Sequence, residues 1–161
     1  MAGFRLQESI LGLSNAVVGR TDAVSGDVVV SGNRVTRATF RINLATVKVG
    51  AKTAPQLARS LDTERYPSAT FTLSRPMALS PAFLAGATIN VISTGQLAMR
   101  GTSHLVTFHL AARRDGTGLQ AAGSMPVAFS GWAITGPKGY GFFGSLANHG
   151  VAEFLLVLHR Q

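Results

Sequence analysis

The chain has 161 residues, enough for one domain with a sizeable core, and 46% of them are hydrophobic, which excludes an intrinsically disordered protein. It contains no cysteine, so disulfides, a thiolate nucleophile and a cysteine-based zinc site are excluded. The formal net charge is +8, but the basic residues are scattered and only Arg113 and Arg114 are adjacent, which argues against a nucleic-acid face. The charge instead predicts a basic solvated surface, or attraction to an anionic membrane surface or an acidic partner.

Alternating apolar and polar residues predict β-strands along most of the first half of the chain. The predicted strands are residues 4–11, 16–31, 34–49 and 68–74. Gly19 and Gly26 predict bends or bulges within the second of them, where a sheet curls. Pro55, followed by Leu57 and Leu61 on one face, predicts a single short helix over residues 53–61.

The clearest signal lies in residues 95–110, where two alternating runs flank a break at residues 100–103 and predict a β-hairpin. Further strands are predicted at residues 88–93, 119–129 and 151–159, whereas residues 130–148 are rich in glycine and aromatic residues and are predicted to be irregular. Many strands, dense turns and one short helix predict a single all-β domain over residues 1–161, either an antiparallel barrel or a sandwich.

No motif for catalysis or metal binding is visible in the sequence, neither a zinc-protease motif, a phosphate-binding loop nor a nucleophile elbow. The acidic residues are dispersed, and most lie beside predicted turns. His149 and Glu153 are four residues apart and could share one face of a strand. They could form a metal-binding or acid–base pair, or they could be part of a polar rim where the last strand begins, and the sequence leaves both alternatives open. We expect no enzyme, no catalytic residue, no metal site and no cofactor.

The predicted strands share an apolar face that would line the inside of a barrel. Such an interior is either filled by side chains or left open for one ligand. Burial of large side chains favours a filled core. Small residues predicted to point inward favour a narrow apolar tube for an extended aliphatic chain; they are Ala38, Ala69, Ala98 and Ala128. Composition and periodicity leave both alternatives open.

Several segments follow the pattern of one known family, in the order that the family has them. LAMRGTSHLVTFHL is similar to the family's central hairpin, and LDTERYPSATFTL is similar to a segment in which Tyr66, Pro67 and Phe71 match. The other similar segments are GFRLQESILG with AVVGRTDAVSGDVVV, FSGWAITGP and NHGVAEFLLVLHR. Together they cover nearly the whole chain, which resembles an actinobacterial-type member of the YceI-like family of lipocalin-like polyisoprenoid-binding proteins.

The resemblance implies an elongated antiparallel lipocalin-like β-barrel of about eight strands with one short helix. It implies non-enzymatic binding or transport of a long-chain apolar ligand in the barrel interior: a polyisoprenoid, an isoprenoid quinone or a fatty-acid-type lipid. It also implies a bacterial protein that is periplasmic or exported, although no signal peptide is visible in this sequence. The sequence departs from the family at Leu105, where proline is common, and at His104, where a basic residue is common. The strand that usually precedes the first motif is missing or cut, which leaves the closure of one barrel end open.

The inward-facing apolar residues are expected to line the ligand site. They are Phe40, Ile42, Leu44, Phe71, Leu73, Leu97, Met99, Val106, Phe108, Val127, Phe129 and Phe154. The aromatic residues Trp132, Tyr140, Phe142 and Phe143 are expected to form a mouth or lid, or to plug the barrel end. Expected partners are a long-chain lipid, a second copy of the chain in a homodimer and an anionic membrane in peripheral contact, with no nucleic acid. The alternative is a stress-response or interaction module with a filled barrel, whose basic surface carries the function.

Overall fold

The computed structural model describes residues 1–10, 13–116, 118–135 and 144–160. Within these residues the chain forms twelve β-strands, two α-helices and two 3₁₀ turns. The strands are β1 (Ala2–Ile10), β2 (Leu13–Thr21), β3 (Val24–Ser31), β4 (Arg34–Asn43), β5 (Lys48–Val49), β6 (Lys52–Thr53), β7 (Ser68–Leu73), β8 (Met77–Ala78), β9 (Ile89–Met99), β10 (Thr102–Asp115), β11 (Gly118–Ala128) and β12 (Gly144–Leu158). The helices are α1 (Pro55–Leu61) and α2 (Pro81–Leu84), and the 3₁₀ turns are Leu44–Thr46 and Phe129–Trp132.

The strands form one antiparallel sheet that curls into a half-barrel. Its path runs β3-β4-β7-β9-β10-β11-β12-β1-β2-β5-β6, and β8 pairs with the start of β4. β2 and β3 follow each other in the chain but lie towards opposite ends of this path, so the backbone crosses from one side of the sheet to the other at residues 22–23. The all-β, lipocalin-like fold class is confirmed, with twelve strands in the described residues instead of about eight.

Local hydrogen bonds decide where the long predicted strands break. Asn43 Oδ1 accepts a hydrogen bond from the N–H of Ala45 at 3.0 Å and begins the 3₁₀ turn Leu44–Thr46, so the predicted strand 34–49 divides into β4 and β5. The chain bends after β2, where Thr21 Oγ1 accepts a hydrogen bond from the N–H of Ala23 at 3.1 Å. The predicted strand 16–31 therefore divides into β2 and β3 at residues 22–23, while Gly19 and Gly26 lie inside these two strands.

Helix α2 was not predicted from the sequence, and neither was the early start of β12. Helix α2 begins with Pro81 in its first turn, and Ser80 Oγ caps it by accepting a hydrogen bond from the N–H of Phe83 at 3.2 Å. Its four residues are too short for a periodic signal, and it is held by the burial of Phe83. Strand β12 begins at Gly144, inside the segment that was predicted to be irregular.

The predicted hairpin is confirmed as β9 and β10. Its turn is Arg100-Gly101, and both residues have positive φ angles of 51° and 76°, as a two-residue turn of type I′ requires. Because side chains alternate across a strand, Phe108 is only 3% exposed whereas Leu105 is 61% exposed.

Most of the buried apolar residues among those described belong to two clusters, which define the two ends of the curled sheet. At the α1 end, Leu61 of α1 and Trp132 of the second 3₁₀ turn pack with residues of β9, β10 and β11. At the α2 end, Phe83 of α2 packs with the cross-strand pair Ala112 and Ala121 and with residues of β4. Burial of each large apolar side chain contributes about 1.5–3 kcal/mol, so both clusters hold the sheet in its curled shape.

Candidate ligand-binding cavity

A cavity of about 520 Å³ lies inside the curled sheet and extends from the α1 end to the α2 end. Val17 of β2 and Val28 of β3 both line it, so the two sides of the sheet face a common space. Leu57 of α1 lines it at one end and Phe83 of α2 lines it at the other. Its volume is within the range of small-molecule binding sites.

Small side chains leave room for this cavity. Ala38, Ala69, Ala112 and Ala121 are all buried, and all four line the cavity. Two of the alanines that were predicted to point inward, Ala98 and Ala128, do not point inward. Ala98 alternates with the buried residues on β9, and Ala128 is exposed. The cavity therefore depends on alanines of β10 and β11 that the sequence analysis did not single out.

Phenylalanine rings in the cavity wall cover glycines of the neighbouring strand. The directly paired examples are Phe4 with Gly19, Phe40 with Gly26 and Phe154 with Gly123. A Cβ atom at Gly19 would lie 2.6 Å from Cζ of Phe4, too close for any real contact. Because the glycine leaves that space free, the ring lies against the wall, and it adds apolar surface without closing the lumen.

All but one of the predicted lining residues are part of the cavity wall. Those present are Phe40, Ile42, Leu44, Phe71, Leu73, Leu97, Met99, Phe108, Val127, Phe129 and Phe154. Val106 points inward as predicted but does not line the cavity, because it is packed within the α1-end cluster that also holds Trp132. That the wall residues bind a ligand stays a prediction.

The sequence analysis missed part of the wall. The missed residues include Phe4, Leu6, Val17, Val24, Val28, Leu79 and Phe83. Alternation in β1 already pointed to Phe4 and Leu6, so this signal was available. Phe83 had no such signal, because its helix is too short to show a period.

Trp132 does not form an exposed lid. It is 4% exposed, and its Nε1–H donates a hydrogen bond to the carbonyl oxygen of Leu97 at 3.3 Å. Its ring also meets the ring of His104 edge-on, with centroids 4.9 Å apart. Trp132 thus closes the core at the α1 end, as a plug does. Tyr140, Phe142 and Phe143, the other residues of the expected mouth, lie outside the described residues.

Arg100 ties together the elements at the α1 end. Its Nη1 donates hydrogen bonds to the carbonyl oxygen of Ser60 in α1, at 3.1 Å, and to that of Ala133 after the second 3₁₀ turn. The ring Nε2 of His104 donates to the carbonyl oxygen of Gly131 at 2.6 Å. These bonds fasten both covering elements to the β9–β10 hairpin.

His149 and Glu153 do not form a joint site. His149 Nδ1 hydrogen-bonds Oδ1 of Asn148 at 2.9 Å, whereas Glu153 Oε1 lies 3.2 Å from Nε of Arg5 in an exposed ion pair. Each side chain is therefore engaged separately, and the alternative of a metal or acid–base pair there is not supported. Among the described residues, no three His, Asp or Glu side chains lie close enough together to hold a metal ion.

The described part of the chain has no helix with the length and apolar character needed to cross a membrane.

Comparisons with known proteins agree with this architecture. The YceI-like domain family matches residues 2–152. A solved polyisoprenoid binding domain from Saccharophagus degradans, implicated in plant cell wall breakdown, is similar with a TM-score of 0.73 and 15% identity, over 99% of this chain and 94% of that one. BcnA from Burkholderia cenocepacia is similar with a TM-score of 0.67 and 23% identity, over 96% of this chain and 95% of that one.

A mutant CJ YCEI protein made for nanotechnology applications is also similar, with a TM-score of 0.63 and 13% identity, over 92% of this chain and 87% of that one. No curated protein sequence matches the chain significantly. The match of the family over residues 2–152, on a half-barrel with an apolar cavity, shows that the chain belongs to the YceI-like family.

Proposed function

We propose that this protein binds one long-chain apolar ligand non-covalently in its interior and carries it without chemical change. The observation that carries the proposal is the cavity of about 520 Å³, whose wall is apolar along nearly its whole length. An extended chain suits such a space because it has much area to bury and few groups that need hydrogen bonds. An apolar cavity also holds water poorly, so the ligand displaces little that is well bound.

The size of the hydrophobic effect supports the same class of ligand. Burial contributes about 0.8 kcal/mol for each CH₂ group, so roughly fifteen buried groups contribute about 12 kcal/mol. Association costs about 4–15 kcal/mol in lost freedom of motion, so a short chain would gain little and a long one is needed. Polyisoprenoids, isoprenoid quinones and fatty-acid-type lipids all meet this requirement.

Family membership supports the proposal, because one similar structure is itself described as a polyisoprenoid binding domain. The alternative of an interaction module with a filled barrel is disfavoured by the cavity. Transport between compartments, homodimer formation and peripheral membrane contact stay predictions.

Native mass spectrometry of protein purified without heating tests the proposal. We expect an additional mass that disappears after extraction into organic solvent and that reappears in the solvent phase as a lipid. Protein that carries no such mass should instead take up geranylgeraniol, an alcohol of four isoprene units, in a calorimetric titration. A protein that neither retains a lipid nor binds this alcohol would contradict the proposal.

A further inference from the structure

One end of the curled sheet presents exposed arginines together with exposed apolar side chains. This surface, the α2 tip, consists of the β3–β4 turn, α2, the β10–β11 turn and the end of β12, within residues 29–34, 81–87, 113–116 and 157–160. Its exposed arginines are Arg34, Arg113, Arg114 and Arg160. Its exposed large apolar side chains include Val30, Leu84 and Val157, which are 52%, 45% and 55% exposed.

Hydrogen bonds and strand pairs join these parts into one surface. Nη1 of Arg114 donates to the carbonyl oxygen of Leu84 at 3.4 Å, so the end of β10 lies against α2. The N–H of Leu79, two residues before α2, donates to the carbonyl oxygen of Asn33 at 2.7 Å and holds the β3–β4 turn on the other side of the helix. The ends of β10 and β12 lie level with each other, because both strands pair with the start of β11.

The α2 tip is basic, whereas the α1 end is balanced. Asp115 is the acidic residue of the tip, so its net charge is +3 from four arginines and one aspartate. Arg113 donates to Oε1 of Gln120 at 3.1 Å and Arg114 to a backbone carbonyl, and neither acceptor carries a charge. Helix α1 and the turn after it carry two arginines and two acidic residues: Arg59, Arg65, Asp62 and Glu64.

Helix α2 also connects this surface with the cavity. Phe83 lines the cavity and is 5% exposed, whereas the next residue, Leu84, points to solvent. Strand β12 alternates in the same way, since Leu158 lines the cavity and Val157 is exposed. A partner bound at the α2 tip would therefore lie one short helix away from the interior.

We propose that the α2 tip docks on the surface of an anionic membrane. A bilayer interface accepts both kinds of side chain, because lipid phosphates pair with guanidinium groups and the acyl-chain boundary takes up apolar side chains. An acidic protein would match the arginines alone. A nucleic-acid face would carry aromatic side chains for base stacking, and the described part of the tip exposes none. The mixture of arginine with valine and leucine therefore favours the membrane.

Vesicle sedimentation measures the docking. Vesicles of phosphatidylcholine mixed with anionic phosphatidylglycerol are compared with vesicles of phosphatidylcholine alone, at neutral pH and about 0.1 M salt. We expect the anionic vesicles to bind the protein at least thirtyfold tighter, because each arginine near such a surface contributes about a fivefold gain in affinity.

A pair of charge variants tests the location. Arg34→Gln with Arg113→Gln removes one charge on each side of α2 and leaves the bond from Arg114 to the helix in place. This variant should bind anionic vesicles about thirtyfold more weakly. The matched control Arg59→Gln with Arg65→Gln removes two charges at the α1 end and should change the affinity less than threefold, because salt screens charges away from the docked surface.

A tryptophan probe tests the contact of α2 with the acyl chains. Leu84→Trp adds a ring at the α2 tip, and the control Leu105→Trp adds one at a side chain that is 61% exposed near the α1 end. The native Trp132 is buried and gives the same background in both variants. Phospholipids brominated in the acyl chain should quench the ring added at residue 84 at least threefold more strongly than the ring added at residue 105.

The possible outcomes separate membrane docking from ligand binding. Equal binding to both kinds of vesicle, or binding to neither, would overturn the docking. Equal losses in the two charge variants, or quenching at residue 105 as strong as at residue 84, would overturn the assignment to the α2 tip. If soluble poly-glutamate binds as tightly as anionic vesicles, the partner is an acidic protein and the membrane is overturned.

Geranylgeraniol affinity provides the independent readout of the proposed function. Neither charge variant should change it more than twofold, because none of the four arginines lines the cavity. Protein that binds geranylgeraniol but no anionic vesicle would retain the proposed function and lose the docking. Protein that docks on vesicles but binds no geranylgeraniol would retain the docking and lose the proposed function.

Discussion

The substitution Ala121→Phe tests whether the ligand uses the α2 half of the cavity. Ala121 is 7% exposed, lines the cavity and pairs across the strands with Ala112. Phenylalanine adds six carbon atoms, which take on the order of 100 Å³ when each takes a little more than half of a water's share of about 30 Å³. That space comes from a cavity of about 520 Å³, so the ring has room without forcing the strands apart.

The expected loss of affinity follows from the chain that no longer fits. A loss of three or four CH₂ groups from burial, at about 0.8 kcal/mol each, weakens binding by about 3 kcal/mol, or roughly a hundredfold. Stability should stay the same or rise, because the new ring buries apolar area in a space that was empty. Calorimetric titration with geranylgeraniol measures the affinity, and thermal unfolding followed by circular dichroism measures the stability.

Two controls show whether a loss of affinity in Ala121→Phe comes from the filled cavity. Ala122→Phe makes the same change at the next residue, on the exposed outer face, and should leave the affinity within twofold of the parent protein. Geraniol, with two isoprene units, should be affected less than geranylgeraniol, because a shorter chain fits in the part of the cavity that the ring leaves free. If folded Ala121→Phe protein binds geranylgeraniol as tightly as the parent, the reasoning about the wall is refuted.

Three further substitutions test the wall and its end closure. Phe108→Ala should lower the free energy of unfolding by about 3–5 kcal/mol in urea titration, because the ring is 3% exposed and meets another ring edge-on at 5.2 Å; a loss below 1 kcal/mol would contradict its place in the core. Gly19→Ala should lower the free energy of unfolding by about 1–3 kcal/mol, because the added Cβ pushes the Phe4 ring into the lumen. Adding Phe4→Leu should restore most of that stability. A double variant as unstable as the single one would show that the ring is not the cause. Arg100→Gln should lower the free energy of unfolding by about 1–3 kcal/mol and speed amide hydrogen exchange in α1, because α1 loses the hydrogen bond from Arg100 to Ser60. Unchanged exchange in α1 would show that Arg100 does not hold this helix.

The sequence by itself determined most of the residues that turn inward along the strands, although Ala98 and Ala128 were wrongly placed inward. Side chains alternate with a strict period of two, so Leu97, Met99 and Phe108 were placed correctly before any contact was known. The β9–β10 hairpin followed in the same way from two alternating runs around a break, which was predicted at residues 100–103 and is the turn Arg100-Gly101 in the structure. Such features are local, because they depend on neighbours within a few positions of the chain.

Only the tertiary structure decided that the interior is open. Whether a glycine bends a strand or makes room for a ring depends on which residue the register sets opposite, and Phe4 lies over Gly19 only once β1 and β2 are paired. The same holds for Ala112 and Ala121, whose joint effect on the cavity requires β10 and β11 to be aligned. The volume left inside a curled sheet is a sum over side chains that are distant in sequence, so one strand's pattern does not reveal it.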